Sequence, residues 1–224
     1  MKERVTLTTK DNYTLAADFY PVEASETGII LLHMMPADKT SWTAFAEKLQ
    51  TRGFHALAVD LRGHGESQDG PQGYERFSDA EHQDSYRDVE AAADFLHSRG
   101  IKKVNLAGAS IGANLALWYL ADNPEIRSAI CLSPGLNYRG IETEPLTKRV
   151  GKEQGVYFVG SSEDERSSGI SAALAAERLY ELCTGGKALK IFDGAGHGTV
   201  MLERNQDFMD ILVGWLEKRN RPTA

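Results

Sequence analysis

Apolar residues recur along this chain in two periods, and the change from one to the other marks its elements. Residues 3–9 and 13–20 alternate apolar and polar positions around Lys10-Asp11-Asn12, which has the chemistry of a hairpin turn. They predict two antiparallel strands at one edge of a sheet. Gly28-Ile29-Ile30-Leu31-Leu32 is instead continuously apolar, the pattern of a strand covered on both faces. Trp42, Phe45, Ala46 and Leu49 then recur at helical spacing up to Gly53, and residues 54–59 return to strand. A second helical stripe runs through Tyr86, Val89, Ala92, Ala93 and Leu96 to Gly100. Val104, Leu106 and Ala107 end a further strand, and Leu115, Leu117 and Trp118 belong to a helix that Asn123-Pro124 stops. Strands at 128–132, 156–159 and 189–192 follow, with a helix over 170–182 and a final helix carrying Phe208, Ile211, Leu212 and Trp215 inward. The stretch from Asp60 to about Ala80 is glycine-rich and polar and reads as a surface loop, while 136–154 has room for at most a short helix.

Strand and helix alternate with short connections, so the right-handed crossover rule favours a mostly parallel sheet with helices on both faces. Eight strands and about five helices fit 224 residues, and one core of that size predicts a single domain, 1–224.

Charge and composition narrow the partners. The formal net charge is −7 and the 25 Lys and Arg residues form no run, which argues against a nucleic-acid partner. No stretch approaches the ~20 apolar residues of a membrane span, and the first residues lack the apolar core of a signal peptide. The expectation is a soluble cytoplasmic protein with no membrane partner. Cys131 and Cys183 are too far apart for a metal or redox motif and read as reduced thiols used as small apolar residues.

The chemistry concentrates in Gly108-Ala109-Ser110-Ile111-Gly112, between a legible strand and a legible helix. A serine at the tip of so sharp a turn is held in a strained backbone position, and small neighbours must leave it room. This is the G-x-S-x-G nucleophile elbow. It presents Ser110 at the carboxyl edge of the sheet and aims the first N–H groups of the next helix at whatever Ser110 attacks.

Four signatures, in order, make the chain resemble the α/β-hydrolase superfamily over nearly its whole length. They are the apolar strand ending in His33, the Asp60-x-Arg62-Gly63-His64-Gly65-x-Ser67 turn, the elbow at Ser110, and Gly194-Ala195-Gly196-His197-Gly198 after the last strand. Within the superfamily it resembles small, lid-poor serine esterases and dienelactone-hydrolase-like proteins. Ser110 stands where dienelactone hydrolases proper use cysteine, so that activity is not carried over.

The resemblance implies a nucleophile, acid and base in that chain order. Of six histidines only His197 follows Ser110, which makes it the base. His64 is expected to brace a turn, His33 to support the oxyanion-hole loop, and His55, His82 and His97 to lie on the surface or at helix ends. The acid belongs to the loop after the strand 156–159. Asp164, four residues beyond Gly160, matches the family loop; Glu163 is its rival, and both Glu163 and Glu165 also read as solvated neighbours or helix-start charges. Asp193 is a more distant contender that reads as a strand-end turn residue. The oxyanion hole would take one N–H from Ile111 and one from Met35, with Met34 as the fallback because it replaces the family's glycine. The side chains of Met34 and Met35 read either as part of an apolar acyl pocket or as core fillers. What the resemblance implies is a carboxylesterase for small-to-medium uncharged acyl esters, with no metal and no cofactor. Its rivals are a thioesterase or amidase on the same residues, or a hydrolase-fold protein that binds a small ligand and turns it over slowly.

Overall fold

The computed structural model describes residues 1–165 and 169–221. β1 (Glu3–Thr8) and β2 (Thr14–Tyr20) form the expected hairpin. β3 (Thr27–Leu32) leads through a 3₁₀ turn into α1 (Thr43–Thr51) and β4 (His55–Val59). After α2 (Asp79–Gln83) and α3 (Tyr86–Ser98), β5 (Lys103–Ala109) turns directly into α4 (Ile111–Asp122), and β6 (Ser128–Leu132) follows. A small hairpin, β7 (Asn137–Tyr138) and β8 (Ile141–Glu142), precedes α5 (Thr143–Lys148). The remainder is β9 (Gly155–Ser161), α6 (Ala172–Leu182), β10 (Gly186–Phe192), α7 (Val200–Arg204) and α8 (Gln206–Asn220).

The main sheet has eight strands in the order β1-β2-β4-β3-β5-β6-β9-β10. β2 pairs antiparallel with both of its neighbours, and every other pairing is parallel. Alternation along each strand feeds two cores. Ile30 and Leu32 join Val89 and Leu96 of α3 and Leu115 and Leu117 of α4 on one face. Ile29 and Leu31 join Phe45 and Leu49 of α1 and Phe208 and Leu212 of α8 on the other. Helix α4 is apolar nearly all round because it is buried nearly all round, and it fixes β5 at the middle of the sheet. Cys131 on β6 and Cys183 after α6 are buried and unbonded, and burial pushes both thiols up. Among the described residues no helix is long and apolar enough to cross a membrane.

Three expectations need correcting. The segment from Asp60 to about Ala80 is no plain surface loop: Asp60, Leu61, Arg62 and His64 are buried and a 3₁₀ turn spans Gly73–Arg76, before α2 opens with a capping box in which Ser78 and Glu81 bond each other's backbone N–H. Ile211 on α8 is 56 % exposed rather than turned inward, while His82, in the last turn of α2 as expected, is buried against Phe77. His55 is buried too, stacked on Phe19 with its Nδ1 accepting the Val22 N–H at 3.1 Å.

Charged side chains brace the loops at the carboxyl edge. Asp60, fully buried at the end of β4, accepts the Lys39 N–H at 2.7 Å, the Lys39 ammonium at 2.6 Å and the Glu66 N–H at 2.8 Å. Arg62 donates to Asp88 of α3 through Nε at 2.9 Å and Nη2 at 2.8 Å, while Asp88 also accepts the Arg62 N–H at 2.8 Å. Beside them His64 stacks on Tyr74 and meets His33 edge-on. Burial pushes the imidazoles of His33, His64 and His82 down from 6.5 to about 4.

Asp88→Ala leaves Arg62 buried with only Asp11 as an ionic partner. Its unfolding free energy in urea is expected to fall by about 3–5 kcal/mol, the cost of breaking one side of a buried pair. The histidines make a second prediction. Their folded-state pKa values lie below the unfolded value of 6.5, so the unfolded chain binds more protons between pH 6.5 and about 4, and stability falls as pH falls through that window. Denaturant midpoints that stay flat from neutrality down to about pH 5 would show that these rings are solvated.

Candidate active site

The backbone at Ser110 has φ 53° and ψ −116°, a region that side chains rarely occupy. Its neighbours make the turn possible. A Cβ on Gly108 would come within 2.0 Å of the Gly112 carbonyl oxygen, and one on Gly112 within 2.3 Å of that of Leu32. No residue but glycine fits either place. The Ser110 N–H is held by the Leu132 carbonyl at 2.9 Å. Ile111 begins α4, so its N–H has no intrahelical acceptor and lies at the positive end of the helix.

Ser110 is half-buried and lines a cavity of about 250 Å³ together with Met35 and His197. The outer walls are Ser133 to Tyr138, running into the small hairpin, and Ile170, Ala172 and Ala175 at the start of α6. Gln83 clasps the hairpin by donating to the Arg139 carbonyl at 2.9 Å, and Arg139 pairs with Asp79 at 3.4 Å. Apart from His197, no ionisable side chain other than the phenol of Tyr138 lines the cavity among the described residues.

His197 sits on the loop after β10, where Gly194, Gly196 and Gly198 all have positive φ. Its Nδ1 lies 2.6 Å from Oδ2 of Asp164, which is 7 % exposed. Nε2 is buried and has no hydrogen-bond partner among the described residues. Asp164 is carried by the turn that ends β9, and its carbonyl accepts the Ala172 N–H at 2.9 Å, tying that turn to α6.

The other carboxylates are engaged elsewhere. Asp193 is exposed and accepts the Ser162 hydroxyl at 2.8 Å. Glu163 is exposed but is no solvated bystander: it accepts the Ser161 hydroxyl and two backbone N–H groups of the His197 loop. Those bonds, the hydroxyl and the Gly196 N–H foremost, hold its carboxyl down at about 2. Sequence reasoning also passed over Ser133, whose hydroxyl accepts the Gly198 N–H at 3.0 Å and whose φ of 51° is again positive. Its position at the end of β6, next to the elbow strand, was the available signal.

His33 shows how the loop after β3 is set. Its Nε2 accepts the Leu61 N–H at 3.0 Å, so the ring proton is on Nδ1 and is donated to the Met34 carbonyl at 3.0 Å. The Met34–Met35 peptide is planar and trans, so the Met35 N–H on its far side is turned away from the ring. The two methionines part company here. Met35 lines the cavity, whereas Met34 packs with the α1 and α8 core and its sulfur lies where a Cβ on Gly198 would be, within 2.5 Å. Met34 is therefore not among the residues that form the cavity wall. Among the described residues no group of three or more His, Cys, Asp or Glu side chains could hold a metal ion.

Comparison with known proteins agrees with this architecture. The esterase Pf2001 of Pyrococcus furiosus superposes with a TM-score of 0.80 at 18 % identity, over 97 % of this chain and 92 % of that one. Est1E of Butyrivibrio proteoclasticus, with ferulic acid bound, does so with a TM-score of 0.78 at 16 % identity, over 96 % and 98 %. By sequence, the chain is 31 % identical over 147 residues to a Bacillus subtilis (strain 168) protein provisionally named 2-succinyl-6-hydroxy-2,4-cyclohexadiene-1-carboxylate synthase, covering 64 % of this chain and 50 % of that protein. The chain spans half or less of the length of the curated relatives it matches. The model of the α/β-hydrolase fold family matches residues 28–169, from β3 through the elbow and past Asp164. That match takes in more than half of the chain and the strands on which the elbow is built, and it places the protein in the α/β-hydrolase fold family.

Proposed function

We propose that this protein is a serine hydrolase that cleaves small-to-medium, uncharged carboxylic esters through an acyl-enzyme. The observation that carries the reading is the meeting of Ser110, strained at its elbow, with His197 in one cavity, the far nitrogen of that imidazole lying 2.6 Å from Asp164. Ser110 Oγ attacks the ester carbonyl as His197 Nε2 takes its proton. The N–H groups of Ile111 and Met35 donate to the oxyanion that forms. Collapse of the tetrahedral species breaks the bond to the alkoxy oxygen, which leaves with the proton held by His197. Water then attacks the acyl-Ser110 with His197 again as base, releasing the acid and restoring the serine. Asp164 holds Nδ1–H throughout, which keeps Nε2 bare to accept the proton. The reaction consumes only water and draws on no metal or organic cofactor.

The cavity wall supports the substrate class. Its described residues are mostly apolar or neutral, Met35, Pro134, Leu136, Ile170, Ala172 and Ala175 among them, which suits an uncharged acyl group. A volume of about 250 Å³ lies just below the ~300–1,000 Å³ usual for drug-sized ligands, which favours short acyl groups. We place the protein in the cytoplasm, acting on a small-molecule ester.

Ser110→Ala and His197→Ala should each abolish nearly all turnover in a panel of acyl esters, thioesters and amides, and the double variant should be little worse than either. Asp164→Asn should lower kcat by up to about 10⁴-fold by imposing the wrong imidazole tautomer. Parent-like rates in Ser110→Ala would remove the elbow from the mechanism. Across acyl chain length, kcat/KM should rise by at most ~0.8 kcal/mol per buried methylene and then peak at short-to-medium chains. A continued gain out to long chains, or a jump in rate at the substrate's solubility limit, would instead indicate a lid and a lipase.

A further inference from the structure

Glu163 has no role in the reaction as written, yet its carboxylate is one of the most fully engaged groups near the site. Oε2 accepts the Ser161 hydroxyl at 2.6 Å and the Gly194 N–H at 2.9 Å. Oε1 accepts the Gly196 N–H at 2.6 Å. The Ala195 N–H between them is taken by Ser161 Oγ at 2.9 Å. Three successive N–H groups of the His197 loop are thus bound by two side chains, Ser161 at the end of β9 and Glu163 in the turn after it. Left-handed backbone at Gly194 (φ 74°) and Gly196 (φ 87°) lets these N–H groups gather around an anion. Asp164, the next residue of that turn, takes the imidazole itself.

We propose that Glu163 is a positioning residue: it seats the glycine-rich loop so that His197 stands between Asp164 and Ser110. The two adjacent carboxylates divide the task, one gripping the backbone and the other the ring. A loop with three positive-φ glycines has much conformational freedom to lose, and without the grip the imidazole would visit many orientations. The kinetic consequence rests on the serine-hydrolase reading above, but the grip can be measured without turnover.

The decisive variant is Glu163→Gln. It keeps the size of the side chain but offers one acceptor oxygen and an NH₂ to a site lined by donors. Ester hydrolysis is expected to lose about 10- to 100-fold in kcat with KM nearly unchanged, the scale of a small misplacement of a catalytic group. In proton NMR of the parent, the His197 Nδ1 proton in its short bond to Asp164 should give a strongly downfield signal, assigned by its absence in His197→Ala. The signal should broaden or vanish in Glu163→Gln while the dispersed amide spectrum persists. Glu163→Asp, which retains both acceptor oxygens, should restore part of kcat and of the signal. If Glu163→Gln does not fold, Ser161→Ala carries the test, with a smaller loss in the same direction.

A sharp downfield signal and parent kcat in Glu163→Gln would overturn the proposal. So would loss of activity in Glu163→Gln with none in Asp164→Asn, since Glu163 would then be the acid itself. A parent protein that turns over no ester would sink the proposed function and leave the NMR comparison to decide the grip on its own.

Discussion

The whole carboxyl edge of the sheet depends on a chain reversal that takes place at one residue. β5 becomes α4 at Ser110, and the strained backbone there costs on the order of 1–3 kcal/mol. It persists because its surroundings allow no alternative. The Leu132 carbonyl holds Ser110 from β6, while Gly112 lies so close to the Leu32 carbonyl of β3 that a methyl group would not fit between them. The neighbouring strands on both sides therefore hold the turn, and the apolar bulk of α4 locks it from one face of the sheet. A hydroxyl so mounted can change its rotamer but not its place.

Around this fixed point the other loops are set by polar groups that have lost their water. Asp60 ties the segment after β3 to the segment after β4, and neutral His33 turns the Met34–Met35 peptide. Such contacts are strong because their surroundings are dry, and for the same reason they tolerate little change of charge. The site is in this sense rigid on its β3 and β5 sides. On the β9 and β10 side it is assembled from hydrogen bonds to exposed backbone, a looser form of construction.

How much of this was legible in the sequence follows from where each signal resides. Strands buried on both faces, such as β3 and β6, announce themselves as unbroken apolar runs. β10 is half-exposed at the sheet edge, and only its end at 189–192 stood out although it begins at Gly186. The expected final helix is α8, whereas α7 just before it stood out by no pattern; Asn205, with φ −132° and ψ 68°, separates the two, and no proline or glycine marks the break. Ser110 and His197 could be singled out because their motifs are local or their position in the chain order is restrictive. Glu163 was legible only as a rival acid or a solvated neighbour, because the loop N–H groups it binds lie about thirty residues on, across the sheet's end, where no local pattern connects them. Met34 and Met35 are adjacent and chemically identical, and only tertiary packing, Met35 along the cavity and Met34 against Gly198, tells one from the other.

The two cysteines have a practical consequence. Cys131 is sealed beneath α4, with its sulfur facing the Ala113 carbonyl, and Cys183 is closed off behind α6; both thiols are held in the protonated form that electrophiles attack slowly. The folded protein is thus nearly silent toward maleimides and other thiol dyes. A single cysteine introduced at an exposed position near the cavity mouth, Leu174 for instance, would carry the only readily labelled sulfur among the described residues. A fluorophore there would report on that wall of the cavity without first stripping the native cysteines from the core.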